Sequence, residues 1–298
     1  MTTAPSCIYL IDGSSYIFRA YFALPPLTNS SGVPTQATYG FTTMTLKFLK
    51  EYQPEYLAVV LDAGRETFRN QIYQDYKANR PAAPPDLIPQ FAHIRTVIQA
   101  MNIALLELEG FEADDLIATL AKTLSVQDGQ VVVVSSDKDL MQLVGEKVKL
   151  LDTAKDRWIG INEVKEKFGV EPEKVVEVMG LMGDPIDNIP GVKGIGEKTA
   201  AALIQRFHSL ENLFDHLDEL EKSEIKGAAR IRNTLLEGKK AAFLSRALAT
   251  VKSDVPLSVA LDQLRRRSFD KEKLKEIFSE LGFAKLFKDL DAEESTET

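Results

Sequence analysis

Three apolar runs, each closing on an aspartate, constrain what this chain can fold into more than any other feature. "CIYLID" (7–12), "YLAVVLD" (56–62) and "QVVVVSSD" (130–137) are near-continuously aliphatic and end at Asp12, Asp62 and Asp137. Strands that do not alternate polar with apolar suit a parallel sheet covered on both faces. Helical patterns at 37–52 and 86–101 lie between the runs, so strand and helix alternate as in an α/β domain.

From about residue 163 the pattern changes to short helical segments such as "EKVVEVMGLMG" and "EKTAAALIQRF", joined by Gly, Pro and Asp turns. The expected organisation is an α/β core over 1–165, a mostly helical region over 166–288, and an acidic, solvated tail over 289–298. "DVPLSV" (254–259) reads as a returning strand, and "DKEKLKEIFSELGF" (270–283) as an amphipathic helix. With 298 residues, 44% of them hydrophobic, the chain can bury a sizeable core. The single cysteine, Cys7, excludes a disulfide framework and a cysteine zinc site. The sequence shows neither a signal segment nor 18 consecutive apolar residues, which places the chain in the cytoplasm with no membrane partner.

"GFEADDLIATLA" (110–121) puts Glu112, Asp114 and Asp115 into four residues at the start of a helical pattern. Acids in a first turn favour the positive end of the helix dipole, and one or two would need no further reason. Here Glu112 and Asp114 border the apolar stripe from opposite sides while Asp115 faces away, all at one helix end. Ligands of open parallel sheets bind outside the carboxyl ends of the strands, where Asp12, Asp62, Asp137 and Asp139 converge. Asp184 and Asp187, in "MGDPIDNIPG", stand at the junction with the helical region.

Each acid alone has an ordinary explanation as a turn residue or helix cap. Those explanations do not predict an acid at every strand terminus of one edge. Two like charges about 5 Å apart repel by roughly 3 kcal/mol at an effective dielectric of about 20, so nine such groups require cations. An all-oxygen set fits Mg²⁺ or Mn²⁺ better than zinc. Two divalent ions would bring the formal net charge from −8 to −4, which weakens the objection to a phosphate-bearing substrate.

"GVKGIGEKTA" (191–200) is not a Walker A loop, because Glu197 intervenes between Gly196 and Lys198. Two short helices joined by this turn would offer backbone N–H groups around Gly191, Gly194 and Gly196 to a phosphate, or would simply connect. "FRNQIYQDYKANRPAAPPD" (68–86) interleaves Arg69, Tyr73, Tyr76, Lys77 and Arg80. Such a mixture suits a single nucleic-acid strand, or equally a solvated helix with Lys77 and Arg80 on one face.

Together, "YLIDGSSYIFRAYFALPPLTNSSG", "YKANRP", "GFEADDLIATLA", "SSDKDLMQLV" and "MGDPIDNIPGVKGIGEKTA" closely resemble, in order and spacing, the N-terminal 5′-3′ exonuclease domain of bacterial DNA polymerase I, in the flap endonuclease superfamily. The resemblance implies a mixed, mostly parallel PIN-like sheet followed by a helix-hairpin-helix at about 180–205. It assigns Asp12, Asp62, Glu112, Asp114 and Asp115 to one metal, and Asp137, Asp139, Asp184 and Asp187 to a second, directly or through water. It sets Lys77 and Arg80 on a helical arch at about 68–90, where they meet the scissile phosphate; Arg69 and Tyr76, from the aromatic and basic mixture of the same segment, are expected as further DNA contacts.

By the same likeness Phe18 would stack on a nucleotide, Arg19 would hold a phosphate, and Gly191, Lys193, Gly194, Gly196 and Lys198 would grip duplex DNA, with K⁺ bound nearby. The implied activity is metal-dependent hydrolysis of 5′ flaps and 5′ ends of DNA, including RNA primer–DNA junctions, with a polymerase in cis or in trans. A DNA-junction binder without catalysis and an RNA-directed PIN nuclease are the alternatives.

Overall fold

The computed structural model describes residues 7–126, 129–222 and 227–287, so the acidic tail expected at 289–298 lies outside the described residues. Among these, strands β1 (Cys7–Asp12), β2 (Tyr56–Val60), β3 (Ala104–Leu106), β4 (Gln130–Val134), β5 (Val148–Asp152) and β6 (Arg157–Ile159) form one sheet. Their order is β3-β2-β1-β4-β5-β6, parallel throughout except for the antiparallel edge strand β6.

The helices are α1 (Gly13–Ala23), α2 (Gln36–Tyr52), α3 (Phe68–Ile72), α4 (Ile88–Ala100), α5 (Ala113–Val126), α6 (Ile161–Phe168), α7 (Val175–Met182), α8 (Glu197–Phe207), α9 (Leu210–Asp215), α10 (Ala228–Ala249) and α11 (Lys271–Leu281). None is long and apolar enough to cross a membrane.

The aliphatic runs are continuous because both faces of the sheet are covered. Tyr9, Ile11, Leu57, Val59, Val132 and Val134 pack with residues of α1, α2, α4 and α11. The alternate residues Ile8, Leu10, Ala58, Val60, Val131 and Val133 pack with α5, and that core continues without a break into α6–α10. One continuous core therefore fixes the helical region against the sheet. Burying such an aliphatic side chain contributes about 1.5–3 kcal/mol, so the two faces hold the strand ends firmly.

The order reverses between β1 and β4, and this is where a crevice opens at the carboxyl ends of a doubly wound sheet. The expected strand at 254–259 is absent. Val255 is buried and gives its N–H to Thr119 Oγ1, Leu257 turns back onto the Val255 carbonyl, and Pro256 has no N–H for a ladder.

Candidate metal centre and nucleic-acid interface

The acids at the strand ends are held by the backbone. Asp12 closes β1 and caps α1, accepting from Ser15 N at 2.9 Å through Oδ1, while Oδ2 accepts from Ser135 Oγ at 2.7 Å. That second bond joins β1 to the end of β4 across the switch point. Asp62 accepts from Ala113 N at 2.9 Å, so the second residue beyond β2 holds the first N–H of α5. Asp137 accepts from Asp139 N, and Asp184 from Ile186 N, each at 2.8 Å in a tight local turn. Each carboxylate thus commits one oxygen to a backbone N–H.

The carboxyls act on one another electrostatically, and a few cations stand against them. Burial first, then the charges of Asp137 and Asp62, pushes Asp12 up to about 7. Burial and the charge of Asp137 push Asp139 up to about 8. Asp114 is raised well above the usual range by desolvation and by Asp137, Asp12 and Glu112. The Oδ1 of Asp139 is buried without a hydrogen-bond partner. Lys138 Nζ lies 2.8 Å from Asp184 Oδ2, and Lys77 Nζ lies 2.8 Å from Glu112 Oε1 and 3.8 Å from Asp187 Oδ2. Arg80 bonds Asp187 Oδ1. Lys138 was not singled out by the sequence reading, although its place between Asp137 and Asp139 was the available signal.

Among the described residues, no group of three or more His, Cys, Asp or Glu side chains is drawn close enough to form a ready-made metal cage. The chemistry of the set nonetheless fits a hard divalent cation. Its donors are all oxygens, one is buried unpartnered, three carboxyls are raised by burial and by their neighbours' charge, and the protein's own ammonium groups sit where positive charge is needed.

The basic segment departs from the expected arch. The helix stops at Ile72, where Tyr73 takes an extended conformation, and residues 74–79 form turns. Lys77 is left-handed at φ 56° and gives its N–H to the Asp187 carbonyl, so Lys77 and Arg80 share an acid, not a helical face. Asn79 Nδ2 donates to the Pro185 carbonyl and Asn188 Nδ2 to that of Asp75, which ties the segment to the 184–189 loop.

Two expected DNA contacts are enclosed. Arg69 is 2% exposed and bonds Asp115, and Tyr76 is 5% exposed with its hydroxyl donating to Glu112 Oε2 at 3.2 Å. A strand cannot reach either side chain in this structure. Asp115, expected to be a metal ligand, is fully buried against Arg69.

Phe18 is 39% exposed, edge-on to Phe91, and lines a cavity of about 700 Å³ with Asp62, Tyr76, Lys77, Arg80 and Glu112. Arg19 donates to Thr153 Oγ1 at 2.9 Å and lies over the Tyr16 ring. The connection between α7 and α8 exposes Lys193, Gly194 and Gly196, and the first turn of α8 exposes Lys198, whereas Gly191 is buried with its N–H donated to Ser245 Oγ. Because the same connection contains Asp184 and Asp187, hairpin and acids share one backbone segment.

Residues 7–169 match the family described as "5′-3′ exonuclease, N-terminal resolvase-like domain", and residues 170–272 match "5′-3′ exonuclease, C-terminal SAM fold". The chain belongs to the 5′-3′ exonuclease family. This family member is 39% identical to the 5′-3′ exonuclease of Aquifex aeolicus over 95% of both chains. It is 41% identical to DNA polymerase I of Bacillus caldotenax over 97% of its own residues, and spans about a third of the DNA polymerase I relatives it matches.

Among solved structures, T5 5′-exonuclease with zinc bound superposes with a TM-score of 0.68 at 23% identity, covering 92% of this chain and 98% of that one. The catalytic core of Rad2 in complex with DNA superposes with 0.62 at 17% identity, covering 93% and 88%. Both likenesses show that this exonuclease-family chain shares its fold with T5 5′-exonuclease and the catalytic core of Rad2.

Proposed function

We propose that this protein hydrolyses phosphodiester bonds at 5′ flaps and 5′ ends of DNA duplexes, using two divalent ions, Mg²⁺ or Mn²⁺. The observation that supports this most is the set of acids gathered around the β1/β4 switch point, where Asp12, Asp62, Asp137 and Asp184 are anchored by backbone N–H groups and where burial, then neighbouring carboxylates, raises Asp12, Asp114 and Asp139 above the usual range. Asp12, Asp62, Glu112 and Asp114 would hold one ion. Asp137, Asp139, Asp184 and Asp187 would hold the other, directly or through water. Divalent ions in such sites supply a nucleophile at neutral pH and neutralise charge on the leaving oxygen.

The chain's own residues orient the substrate. Lys77 and Arg80 carry positive charge at the rim of the acid cluster, suited to a phosphate that becomes more anionic in the transition state. Phe18 offers a ring face at the cavity wall for an unpaired base, and Arg19 a guanidinium for a phosphate. The exposed hairpin with Lys193 and Lys198 suits a sequence-independent grip on duplex DNA, where a K⁺ ion would add positive charge toward the phosphates. A polymerase acting in cis or in trans fits the length of chain that the DNA polymerase I relatives have beyond this match.

The test is cleavage of a 5′-labelled flap duplex in Mg²⁺, beside a chelator control, the Asp137→Asn protein and a single-stranded RNA substrate. Metal-dependent cuts near the junction that disappear in the variant are expected. Tight flap binding without cleavage would favour a junction binder, and preferred RNA cleavage an RNA nuclease.

A further inference from the structure

We propose that Arg69 and Asp115 form a positioning pair that couples the helical region to the acids of α5, touching neither nucleic acid nor metal. The proposal rests on the nuclease reading above.

The Arg69 guanidinium ties α3 to two other elements at once. From α3 it donates through Nη1 and Nη2 to the two oxygens of Asp115, each at 2.8 Å. Its Nε donates to the Leu248 carbonyl at 2.9 Å and Nη2 also to that of Thr250 at 3.0 Å, at the carboxyl end of α10. A cation is favoured there by the helix dipole, and the planar fork of arginine fits carboxylate and carbonyls together, which a lysine ammonium cannot.

Asp115 is equally committed. Oδ1 accepts from Arg69 and from Lys252 N at 2.7 Å, and Oδ2 accepts from Arg69 and from Glu112 N at 3.1 Å. A carboxylate has about four acceptor sites, and these four donors fill them. No lone pair is left for an ion.

The acids that do face the cluster, Glu112 and Asp114, lie three and one residues before Asp115 in sequence, and the Glu112 backbone hangs from it directly. The pair therefore sets where the first turn of α5 lies relative to β1 and β4, and it does so from the end of the helix that packs on α7, next to the hairpin. Outer-shell partners of this kind influence metal affinity by orienting the ligands.

The experiment is calorimetric titration of the full chain with Mn²⁺, for wild type, Arg69→Lys, Asp115→Asn and the double variant. It is combined with amide exchange on the metal-free proteins. Each single variant is expected to bind Mn²⁺ about tenfold more weakly or worse. The double variant is expected to be no weaker than the poorer single one, because one unit has been broken. Exchange should quicken at 112–116 and 248–252 together while β1 and β4 stay protected.

Unchanged Mn²⁺ affinity in Arg69→Lys would overturn the proposal, as would additive losses. So would a loss confined to Asp115→Asn with exchange at 248–252 unchanged, since Asp115 would then be a direct ligand. Should Arg69→Lys fail to fold, exchange at 248–252 in Asp115→Asn decides the question alone. If wild type binds no Mn²⁺, the nuclease reading fails, whereas the exchange result still judges the coupling.

Discussion

At the scale of single residues, burial and then mutual repulsion make the charged forms of the clustered acids costly when cations are absent. Folding raises Asp12 from 3.8 to about 7 and Asp139 from 3.8 to about 8, through burial and neighbouring charge. In that window the folded protein holds more protons than the unfolded chain, so these groups contribute stability at low pH that is lost as pH rises through 7 to 8. Asp139→Asn is therefore expected to raise the melting temperature of the metal-free protein more at pH 8.5 than at pH 5; a larger gain at pH 5 would contradict the account.

Lys77 and Arg80 answer a different question. If Lys77 serves the substrate, Lys77→Met should bind Mn²⁺ at least as tightly as wild type while cutting flap DNA more slowly, because removing the ammonium frees Glu112. Weaker Mn²⁺ binding in that variant would speak against it. The acids at strand ends were legible in the sequence because position along a strand is a local property. The Arg69–Asp115 pair was not, because its partners lie 46 residues apart and nothing in either local pattern names the other.

At the scale of elements, the loop between α7 and α8 is tightly specified backbone. Asp184 and Ile189 exchange two backbone bonds, and Gly183 and Gly191 pass so closely that a Cβ on Gly191 would stand 2.5 Å from Gly183 N, at a φ of +60°. Gly191→Ala should cost roughly 1–3 kcal/mol, read as a lower denaturant midpoint. A neutral result would mean that the loop is not held as described.

Strands β1, β2 and β4 could be read from sequence because buried parallel strands leave continuous aliphatic runs. β3 and β6 have three residues each, too short to carry a period, and β5 exposes Lys149 in a run that is otherwise buried. Spacing suggested a helix through Lys77 and Arg80. Tertiary contacts to the 184–189 loop replaced it with turns.

At the scale of the whole molecule, a net charge of −8 looks ill suited to DNA until its distribution is considered. Many of the acids stand at one sheet edge, with Lys77, Lys138 and Arg80 among them and the Lys193/Lys198 hairpin continuing from the same loop. Ligation should couple this edge to global stability. Saturation with Mg²⁺ is expected to raise the melting temperature, by the equivalent of about 2.7 kcal/mol at one hundred times the dissociation constant. Equal melting in Mg²⁺ and in chelator would count against the centre.

The most direct test is the anomalous diffraction of a crystal soaked in Mn²⁺. Two peaks are predicted about 4 Å apart at the carboxyl edge of β1 and β4. One should lie among Asp12, Asp62, Glu112 and Asp114, the other among Asp137, Asp139, Asp184 and Asp187, with none on Asp115. Manganese bound elsewhere with that edge empty would contradict the account.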